Sequence, residues 1–555
     1  MNPLYRIAGR AVDRAIGLPP VASRYLRRRD VAVPMPDGVV LLGDHYRPAG
    51  HDQPLPVVLI RSPYGRAGLA AVLFATPLAR HGFQVFIQST RGTFGSGGQF
   101  RPFLSEREDG LATVAWLRDQ SWCDGQVSMT GGSYLGHTQW AVAPYVDPPL
   151  RSVSMNVTAA KISDTFYHNG APGIKGALTW TGIIGNQERG VLHIVPTPRQ
   201  LARIRRALLK VPLQAADVDV TGAPVTFWRD FVEHAAPDDK FWAGADHDTA
   251  DLTRLPPVSM VTGWWDIFLP GQLSDYAAIR AAGVMARLTV GPWLHSDPVE
   301  LRVAIQQDVA WLDHHLCGAP PPPGAPVRVF LQKADTWLDF QDWPPPDAVG
   351  ITYYLRVQGG LSPDPEPGDA GPDTFVYNPA DPTPSAGGPF LQPPGGQVDN
   401  YALEARPDVL TFTTAPLPAD QDLVGPVRAR IFVRAGRKYA DLFVRVCDVD
   451  PTGLSLNIVD GIRRLSPQTV PAPDVLVGDD EVLAVDVELY PTAYRIRAGH
   501  RIRVQLSGGA FPRFARNFGT GEPFGTATTA VRCRFEIYHD SQHPSSVLLP
   551  VLPRP

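Results

Sequence analysis

The sequence has little of three things that would narrow its class. It contains four cysteines among 555 residues, and no two of them have the C-x-x-C spacing of a zinc site or a redox motif. Basic and acidic residues nearly cancel, 51 against 55, which excludes a general attraction to nucleic acid or an anionic membrane. No apolar run is long enough to span a bilayer, and residues 1–30 contain arginines throughout, unlike a secretory signal. We therefore expect a cytoplasmic protein with buried free thiols and no disulfide framework.

Proline and glycine, in contrast, are abundant. The 58 prolines and 51 glycines indicate many turns and irregular edges. A chain of this length exceeds one ordinary hydrophobic core, so two to four domains are expected. No repeat at a fixed period is visible in the sequence. The spacing of apolar runs is therefore the feature of the sequence that indicates where one domain ends and the next begins.

That pattern predicts four parts. In residues 1–156, short strand-like runs alternate with helical stretches, which is typical of a parallel, doubly wound α/β sheet. Residues 157–254 show helical spacing and no convincing strand, so they are predicted to form an inserted helical cap. The strand pattern returns in residues 255–346 and completes the α/β core. In residues 347–555, Pro- and Gly-rich turns separate alternating short strands, which favours an antiparallel sandwich or jelly roll.

The most informative motif is GGSYLG at residues 131–136. It follows a short apolar run and precedes a helix-compatible stretch. A strand, a glycine-flanked serine and a helix together describe a nucleophile elbow, in which the hydroxyl of Ser133 projects above the sheet from a sharp turn. The glycines are expected where no side chain fits between the turn and the neighbouring backbone. A Gly/Ser-rich loop without a chemical role is the alternative.

Two further polar residues follow predicted strands. Ligands of an open parallel sheet bind beyond the carboxyl ends of its strands. Asp266 comes after the strand that ends at Val261 and a tight turn, and His295 comes after the strand that ends at Val290. Individually, such an aspartate is usually a turn former and such a histidine is usually structural. Together with Ser133 they have the chain order of an α/β-hydrolase triad, which favours that interpretation.

The predicted roles follow from the chemistry of acyl transfer. A serine hydroxyl becomes a good nucleophile when an imidazole accepts its proton, so His295 is the predicted base and Asp266 its orienter. The tetrahedral intermediate needs hydrogen-bond donors at its oxyanion. The backbone amide of Tyr134 is one predicted donor, and the phenol of Tyr64, which follows an early strand and stays protonated at neutral pH, is the second. The structural alternative for Tyr64 is a buried core tyrosine.

Three other motifs are interpreted without a catalytic role. The glycine-rich residues 91–98 follow a strand but lack the G-K-[ST] ending of a phosphate-binding loop. The pair His314–His315 is expected to be exposed or to cap a helix, because adjacent helical residues point in different directions. The acids around His247 are expected in a solvated loop. No metal and no cofactor is predicted.

The chain also resembles a known family. Its motifs S-P-Y ending at Tyr64, R-G beginning at Arg91, G-x-S-Y-x-G around Ser133, G-W-x-D ending at Asp266 and G-P-W-x-H ending at His295 are similar, in this order, to those of the bacterial cocaine-esterase and X-Pro dipeptidyl-peptidase (CocE/NonD) family. The resemblance covers nearly the whole chain. It implies an α/β-hydrolase core, a helical cap and a C-terminal jelly roll, with the triad and oxyanion hole named above.

The resemblance further implies that Phe268 and, in the cap, Trp180 line the acyl pocket. The α-amino-acid ester hydrolases also resemble the chain, but they have extra carboxylates after the triad aspartate that hold the ammonium group of the substrate. Here the apolar residues Ile267, Phe268 and Leu269 follow Asp266. A free amine at the acyl side would be desolvated without a partner. This departure favours a neutral apolar or aromatic acyl group.

The leading hypothesis is therefore a serine carboxylesterase that cleaves a small-molecule ester through an acyl-enzyme, without a cofactor and without a nucleic-acid or membrane partner. Amide hydrolysis, such as X-Pro dipeptide release or an acylase activity, is the alternative within enzymes. A non-catalytic protein whose jelly roll binds a glycan or another partner is a more remote alternative. The sequence leaves open the natural ester and the formation of a homodimer through the jelly roll.

Overall fold

A ten-stranded, largely parallel sheet organises the first 340 residues. The computed structural model describes residues 14, 16–18, 24–189, 197–235, 239–392, 395–466 and 481–554. The strands in this part of the chain are β1 (Tyr25–Pro34), β2 (Val40–Pro48), β3 (Leu55–Ser62), β4 (Gln84–Ser89), β5 (Cys123–Gly132), β6 (Val153–Asn156), β7 (Tyr167–His168), β8 (Ala171–Pro172), β9 (Val258–Trp265), β10 (Ala286–Leu294), β11 (Val327–Leu331) and β12 (Thr336–Phe340). All except β7 and β8 belong to the sheet, in the order β1-β2-β4-β3-β5-β6-β9-β10-β11-β12.

Helices connect the parallel strands of this sheet. The described helices are α1 (Gly68–Ala70), α2 (Thr76–Arg80), α3 (Glu106–Arg118), α4 (Tyr134–Trp140), α5 (Ile162–Phe166), α6 (Ile174–Ile184), α7 (Pro198–Leu209), α8 (Ala216–Thr221), α9 (Thr226–Glu233), α10 (Leu269–Ala281), α11 (Pro298–Cys317) and α12 (Tyr401–Glu404). The central pairs from β4 to β11 are parallel, while β1, β2 and β12 add antiparallel edges. The predicted doubly wound α/β core is confirmed.

The two strands that precede Asp266 and His295 are longer than predicted. The strand ends expected at Val261 and Val290 are wrong, because β9 continues to Trp265 and β10 continues to Leu294. The turn expected before Asp266 is present at the end of β9, where the Asp266 amide donates to the carbonyl oxygen of Gly263 at 3.0 Å. Close packing between these neighbours explains the glycine at position 263: a Cβ there would lie 2.2 Å from the carbonyl oxygen of Trp293. Asp266 and His295 therefore directly follow two adjacent parallel strands, and both lie at the same edge of the sheet.

The segment between β6 and β9 forms a helical insertion over this edge. It contains α5 to α9, and an aromatic cluster that includes Phe166, Trp180, Phe227 and Phe231 forms its core. Helix α7 begins with a capping box, in which Thr197 accepts from the backbone amide of Gln200. The prediction of a segment without strands is wrong in one detail, because β7 and β8 pair as a two-residue ladder.

The C-terminal part forms a second, almost entirely antiparallel β domain. Its strands are β13 (Val349–Arg356), β14 (Gly360–Ser362), β15 (Asp373–Tyr377), β16 (Val409–Thr413), β17 (Gln421–Ala435), β18 (Ala440–Val449), β19 (Ser455–Leu465), β20 (Leu483–Ile496), β21 (Arg501–Ser507), β22 (Cys533–Tyr538) and β23 (Ser546–Leu552). Along β17 and β20, buried and exposed residues alternate over long stretches, as expected for strands with one face on a core. The predicted jelly-roll class of this domain is confirmed, whereas the predicted residue boundaries of the four parts stay predictions.

The β domain packs against both the α/β core and the helical insertion. Trp264 and Trp265 of β9 share one buried cluster with Tyr490 and Tyr494 of β20, and the Tyr490 hydroxyl donates to the carbonyl oxygen of Ile267 at 3.3 Å. Further along the chain, Phe511, Ala515 and Phe524 join the aromatic cluster of the insertion. Three parts of the chain therefore enclose the carboxyl edge of the central sheet.

The cysteines agree with the prediction in three cases out of four. All four are free thiols, but Cys317, at the end of α11, is exposed, so its predicted burial is wrong. Among the described residues, no helix has both the length and the apolar character needed to cross a membrane. The cytoplasmic location stays a prediction.

Candidate active site

Ser133 occupies a strained turn between β5 and α4. Its backbone has φ 58° and ψ −125°, a conformation that non-glycine residues rarely adopt. The neighbouring glycines make this turn possible. Gly131 has φ 137°, and a Cβ there would lie 2.6 Å from Cβ of Leu135, while a Cβ at Gly136 would lie 2.6 Å from the Thr158 side chain. The local geometry is that of a nucleophile elbow, with the serine at the start of a helix.

His295 connects Ser133 to Asp266. Its Nε2 lies 3.1 Å from Oγ of Ser133, and its Nδ1 lies 2.8 Å from Oδ2 of Asp266. The second carboxylate oxygen of Asp266 accepts from the backbone amide of Phe268 at 2.7 Å. His295 is 5 % exposed and Asp266 is fully buried. The fold therefore brings together three residues that the sequence separates widely.

Tyr64 lies in the same cavity as Ser133, just beyond the end of β3. Its hydroxyl accepts a hydrogen bond from Nε1 of Trp180 at 3.0 Å, so the phenolic proton is left for another acceptor. Burial raises the pKa of Tyr64 to about 12, which keeps the phenol protonated at neutral pH. The structure thus places a neutral donor beside the predicted nucleophile.

The cavity over Ser133 is lined mainly by aromatic and aliphatic side chains. Both residues expected in the acyl pocket, Trp180 and Phe268, are among them. Trp180 stacks on Phe103 with ring centroids 5.3 Å apart, and Phe268 lies 5.5 Å from the ring of His295. Residues of the β domain complete the wall, namely Pro389, Phe390, Leu391, Arg513 and Phe514.

A buried polar network behind Tyr134 was not predicted. The Tyr134 hydroxyl donates to Oε1 of Glu106 at 2.7 Å and accepts from the backbone amide of Phe103 at 2.9 Å. Glu106 in turn forms an ion pair with Arg61 at 2.7 Å, and both side chains are buried. Burial, and next the Glu106 carboxylate, raises the pKa of Tyr134 well above its usual range. The polar residue Arg61 at the end of an apolar strand was the available signal.

A second unpredicted residue, Asp308 of α11, supports the elbow from the other side. Its carboxylate accepts from Oγ1 of Thr130 at 2.7 Å and from Nδ2 of Asn156 at 3.1 Å. The carbonyl oxygen of Asn156 accepts from the backbone amide of Ser133 at 2.9 Å. Burial raises the pKa of Asp308 to about 6. Asp308 therefore links helix α11 to the nucleophile by way of Asn156.

The motifs that were set aside have structural partners. In the glycine-rich loop, Arg91 pairs with Asp109 at 2.6 Å. At the end of α11, His314 contacts the carbonyl oxygen of Ala319 through Nδ1 at 2.7 Å. Of the acids around His247 that were expected in a solvated loop, Asp248 and Asp251 are exposed and Asp246 is half-buried, whereas His247 itself is fully buried. Within the described ranges, no group of three or more His, Cys, Asp or Glu side chains could hold a metal ion.

Comparison with known proteins identifies the family of the chain. The family model for the X-Pro dipeptidyl-peptidase (S15 family) matches residues 37–297, and that for the X-Pro dipeptidyl-peptidase C-terminal non-catalytic domain matches residues 323–548. A cocaine esterase from Rhodococcus sp. (strain MB1 Bresler) is 32% identical, over 96% of this chain and 100% of the relative. The chain belongs to this family. It is accordingly an enzyme, a serine hydrolase.

Other similar proteins have lower sequence identity to this chain. A Mycobacterium bovis protein named as a serine esterase is 26% identical, over 95% of this chain and 96% of that protein. The solved structure of an aminopeptidase from a marine-sediment Thaumarchaeota archaeon has a TM-score of 0.79 at 23% identity, covering 95% of this chain and 97% of that one. An α-amino acid ester hydrolase has a TM-score of 0.77 at 24% identity, covering 96% and 98%. These two structures share the fold with the chain.

Proposed function

We propose that this serine hydrolase cleaves carboxylic esters with a neutral apolar or aromatic acyl group through an acyl-enzyme on Ser133. The observation that carries the proposal is the hydrogen-bonded series Ser133–His295–Asp266, with contacts of 3.1 and 2.8 Å, at the floor of an apolar cavity. A serine in such a series loses its proton to the imidazole as its oxygen attacks a carbonyl carbon.

In the tautomer that the reaction requires, Nδ1 of His295 donates to Asp266 and Nε2 accepts the proton of Ser133. The attack gives a tetrahedral intermediate, and Nε2 then passes the proton to the departing alcohol. Water repeats the same steps on the acyl-enzyme and releases the acid. Asp266 stabilises the imidazolium formed in each half, and its second oxygen is held by the Phe268 amide at 2.7 Å.

Two donors are available for the oxyanion. One is the backbone amide of Tyr134, which follows the nucleophile at the start of α4. The other is the Tyr64 phenol, whose lone pair is occupied by the Trp180 indole at 3.0 Å. This contact directs the phenolic proton away from Trp180. Donors that are already oriented stabilise the developing charge without reorganisation.

The walls of the cavity support the preference for a neutral acyl group. Phe268 and Ile267 directly follow Asp266, and Trp180, Phe103 and Phe166 supply further apolar surface. Among the described residues that line the cavity there is no aspartate or glutamate. An ammonium group on the acyl part would be desolvated there without a counter-charge.

The proposal is tested by hydrolysis of p-nitrophenyl acetate and butyrate. We expect turnover by the wild type and loss of nearly all of it in Ser133→Ala, with a fluorophosphonate probe labelling only the wild type. Comparison with esters of α-amino acids tests the acyl preference. Unchanged turnover in Ser133→Ala would remove the assigned nucleophile, and faster turnover of α-amino esters would remove the acyl preference.

Amide hydrolysis, including X-Pro dipeptide release, is the second candidate, favoured by the description of the matching family models. Dipeptide release requires capture of an N-terminal ammonium group, for which the described cavity lining offers no carboxylate. Gly-Pro-p-nitroanilide and a p-nitrophenyl ester of matched size separate the two activities. We expect the ester to be cleaved faster by a wide margin; faster cleavage of the anilide would reverse the ranking.

A further inference from the structure

Arg513 brings a charge into the cavity over Ser133. It lies between β21 and β22 in the β domain, lines the same cavity as Ser133 and Tyr64, and is only 5 % exposed. The cavity lining in the described ranges contains no other arginine, no lysine and no acid. The histidine in the same wall, His168, is neutral, because burial lowers its pKa to about 3.

The charge of Arg513 is not cancelled by its partner. Asp460 accepts from Nη1 of Arg513 through one oxygen at 2.5 Å and from Arg445 through the other at 2.8 Å. Two guanidinium groups thus share one carboxylate, which leaves one positive charge in a buried cluster. Lys175 supplies a further positive charge nearby. Its Nζ lies 3.7 Å from the ring centre of Phe390 in the cavity wall.

The guanidinium of Arg513 interacts with the hydroxyl of Tyr490, yet one of its donor groups has no acceptor of good hydrogen-bond geometry. Its Nη2 is buried and has no hydrogen-bond partner among the described residues. The guanidinium carbon lies 4.8 Å from the ring centre of Phe514 and 5.4 Å from that of Tyr490, so two aromatic faces hold the group in place. A buried donor without an acceptor is costly unless a bound molecule supplies one.

Arg513 also lines a second and larger cavity. That cavity has a volume of about 660 Å³ and is lined by charged residues of both signs, whereas the free space beside Ser133 is about 50 Å³. The two cavities share the lining residues Thr165, His168, Ile267, Arg513 and Phe514. Ser133, Tyr64 and Trp180 belong to the smaller cavity alone, so Arg513 lies toward the side where a larger part of a substrate has room.

From these observations we infer that Arg513 binds a carboxylate on the alcohol part of the ester substrate. The inference rests on the proposed function and extends it, because the acyl part faces apolar walls and the alcohol part faces Arg513. Nη2 donates a charge-assisted hydrogen bond to the carboxylate, and the surplus charge of the arginine cluster offsets its desolvation.

The experiment uses pairs of substrates that differ only in charge. For the alcohol part, 3-(4-acetoxyphenyl)propanoate is compared with 3-(4-acetoxyphenyl)propanamide, whose leaving phenol has nearly the same acidity. For the acyl part, the p-nitrophenyl monoester of adipic acid is compared with its terminal amide. The readout is the ratio of kcat/KM within each pair, so that losses common to both substrates cancel.

We expect the wild type to prefer the alcohol-side carboxylate by about tenfold to a hundredfold, the range of a charge-assisted hydrogen bond. The ratio should fall to about one in Arg513→Gln and lie between these values in Arg513→Lys. A wild-type ratio of one or below, or an unchanged ratio in Arg513→Gln, would overturn the inference. A preference confined to the acyl pair would overturn the placement of the carboxylate.

A measurement on the wild type alone covers the case in which Arg513→Gln does not fold. Inhibition by 3-phenylpropanoate should be competitive and about tenfold or more stronger than inhibition by 3-phenylpropanamide; equal inhibition would contradict the inference. Failure of the proposed function would look different. In that case either the wild type would hydrolyse neither ester of a pair, or Ser133→Ala would hydrolyse both as fast as the wild type.

Discussion

The phenol of Tyr134 donates a 2.7 Å hydrogen bond to the carboxylate of Glu106, which itself pairs with the buried Arg61 at 2.7 Å. This relationship ties the residue after the elbow serine to α3. The backbone amide of Tyr134 is the proposed oxyanion donor, and its side chain anchors the first turn of α4. We therefore expect Glu106 to position this amide.

The first prediction concerns this anchor. Tyr134→Phe removes the hydroxyl and leaves both Glu106 and the Phe103 amide without their partner. We expect a loss of about 1–3 kcal/mol in unfolding free energy and a fall in kcat with little change in KM. Because Tyr145 lies outside the cavity, Tyr145→Phe is the matched control. A Tyr134→Phe variant that loses stability but keeps the wild-type kcat would show a purely structural role.

The second prediction concerns the phenol of Tyr64. Tyr64→Phe keeps the ring and removes the proposed oxyanion donor, so kcat should fall about a hundredfold to a thousandfold while KM changes little. Trp180→Phe removes the indole donor that orients the phenol, and its effect on kcat should be smaller. Steady-state kinetics on p-nitrophenyl butyrate provides the measurement. Retention of more than a tenth of the wild-type kcat in Tyr64→Phe would exclude the phenol as an oxyanion donor.

The third prediction concerns Asp266. Asp266→Asn keeps the size of the side chain but cannot stabilise the imidazolium of His295, and it favours the wrong tautomer. We expect kcat to fall about ten-thousandfold at neutral pH, as in other serine hydrolases with such a triad. The exposed Asp251, changed to Asn, is the control for a surface aspartate. Retention of more than a tenth of the wild-type kcat in Asp266→Asn would exclude Asp266 as the orienter.

The fourth prediction concerns stability in acid. His137 and His247 are fully buried with ring centroids 5.2 Å apart, and neither ring nitrogen of His137 has a hydrogen-bond partner in the described part of the chain. Burial lowers the pKa of His137 to about 3, and burial followed by His137 lowers the pKa of His247 to about 2. In the unfolded chain both groups take up protons near their ordinary pKa of about 6.5.

Because the folded-state pKa values are lower, the stability that these two groups contribute is present above pH 6.5 and is lost as the pH falls toward 3. Each histidine should contribute a slope of about 1.4 kcal/mol per pH unit in this window. In His137→Leu, the slope of the unfolding free energy against pH should therefore lose the contribution of one proton. The measurement is a smaller shift of the urea midpoint with pH. The same slope in His137→Leu as in the wild type would contradict this, with the exposed His51→Gln as control.

The fold class was predictable because its signals are local and periodic. Apolar runs that alternate with helical spacing predict the parallel core, and short strands between Pro- and Gly-rich turns predict the β domain. The ends of strands were less predictable. We expected β9 to end at Val261, yet it continues to Trp265. Gly263 is required within it for close approach to the carbonyl of Trp293 on β10. Sequence distance does not reveal such a contact.

The elbow at Ser133 and the order in which Asp266 and His295 follow it could be predicted from short segments, since a glycine-flanked serine and the ends of strands are local features. Their surroundings depend on how distant parts of the chain pack together. Glu106 and Arg61 reach the elbow from α3 and β3, and Arg513 arrives from the β domain. Their effect depends on burial and on distances between remote segments, and those quantities exist only after the chain has packed.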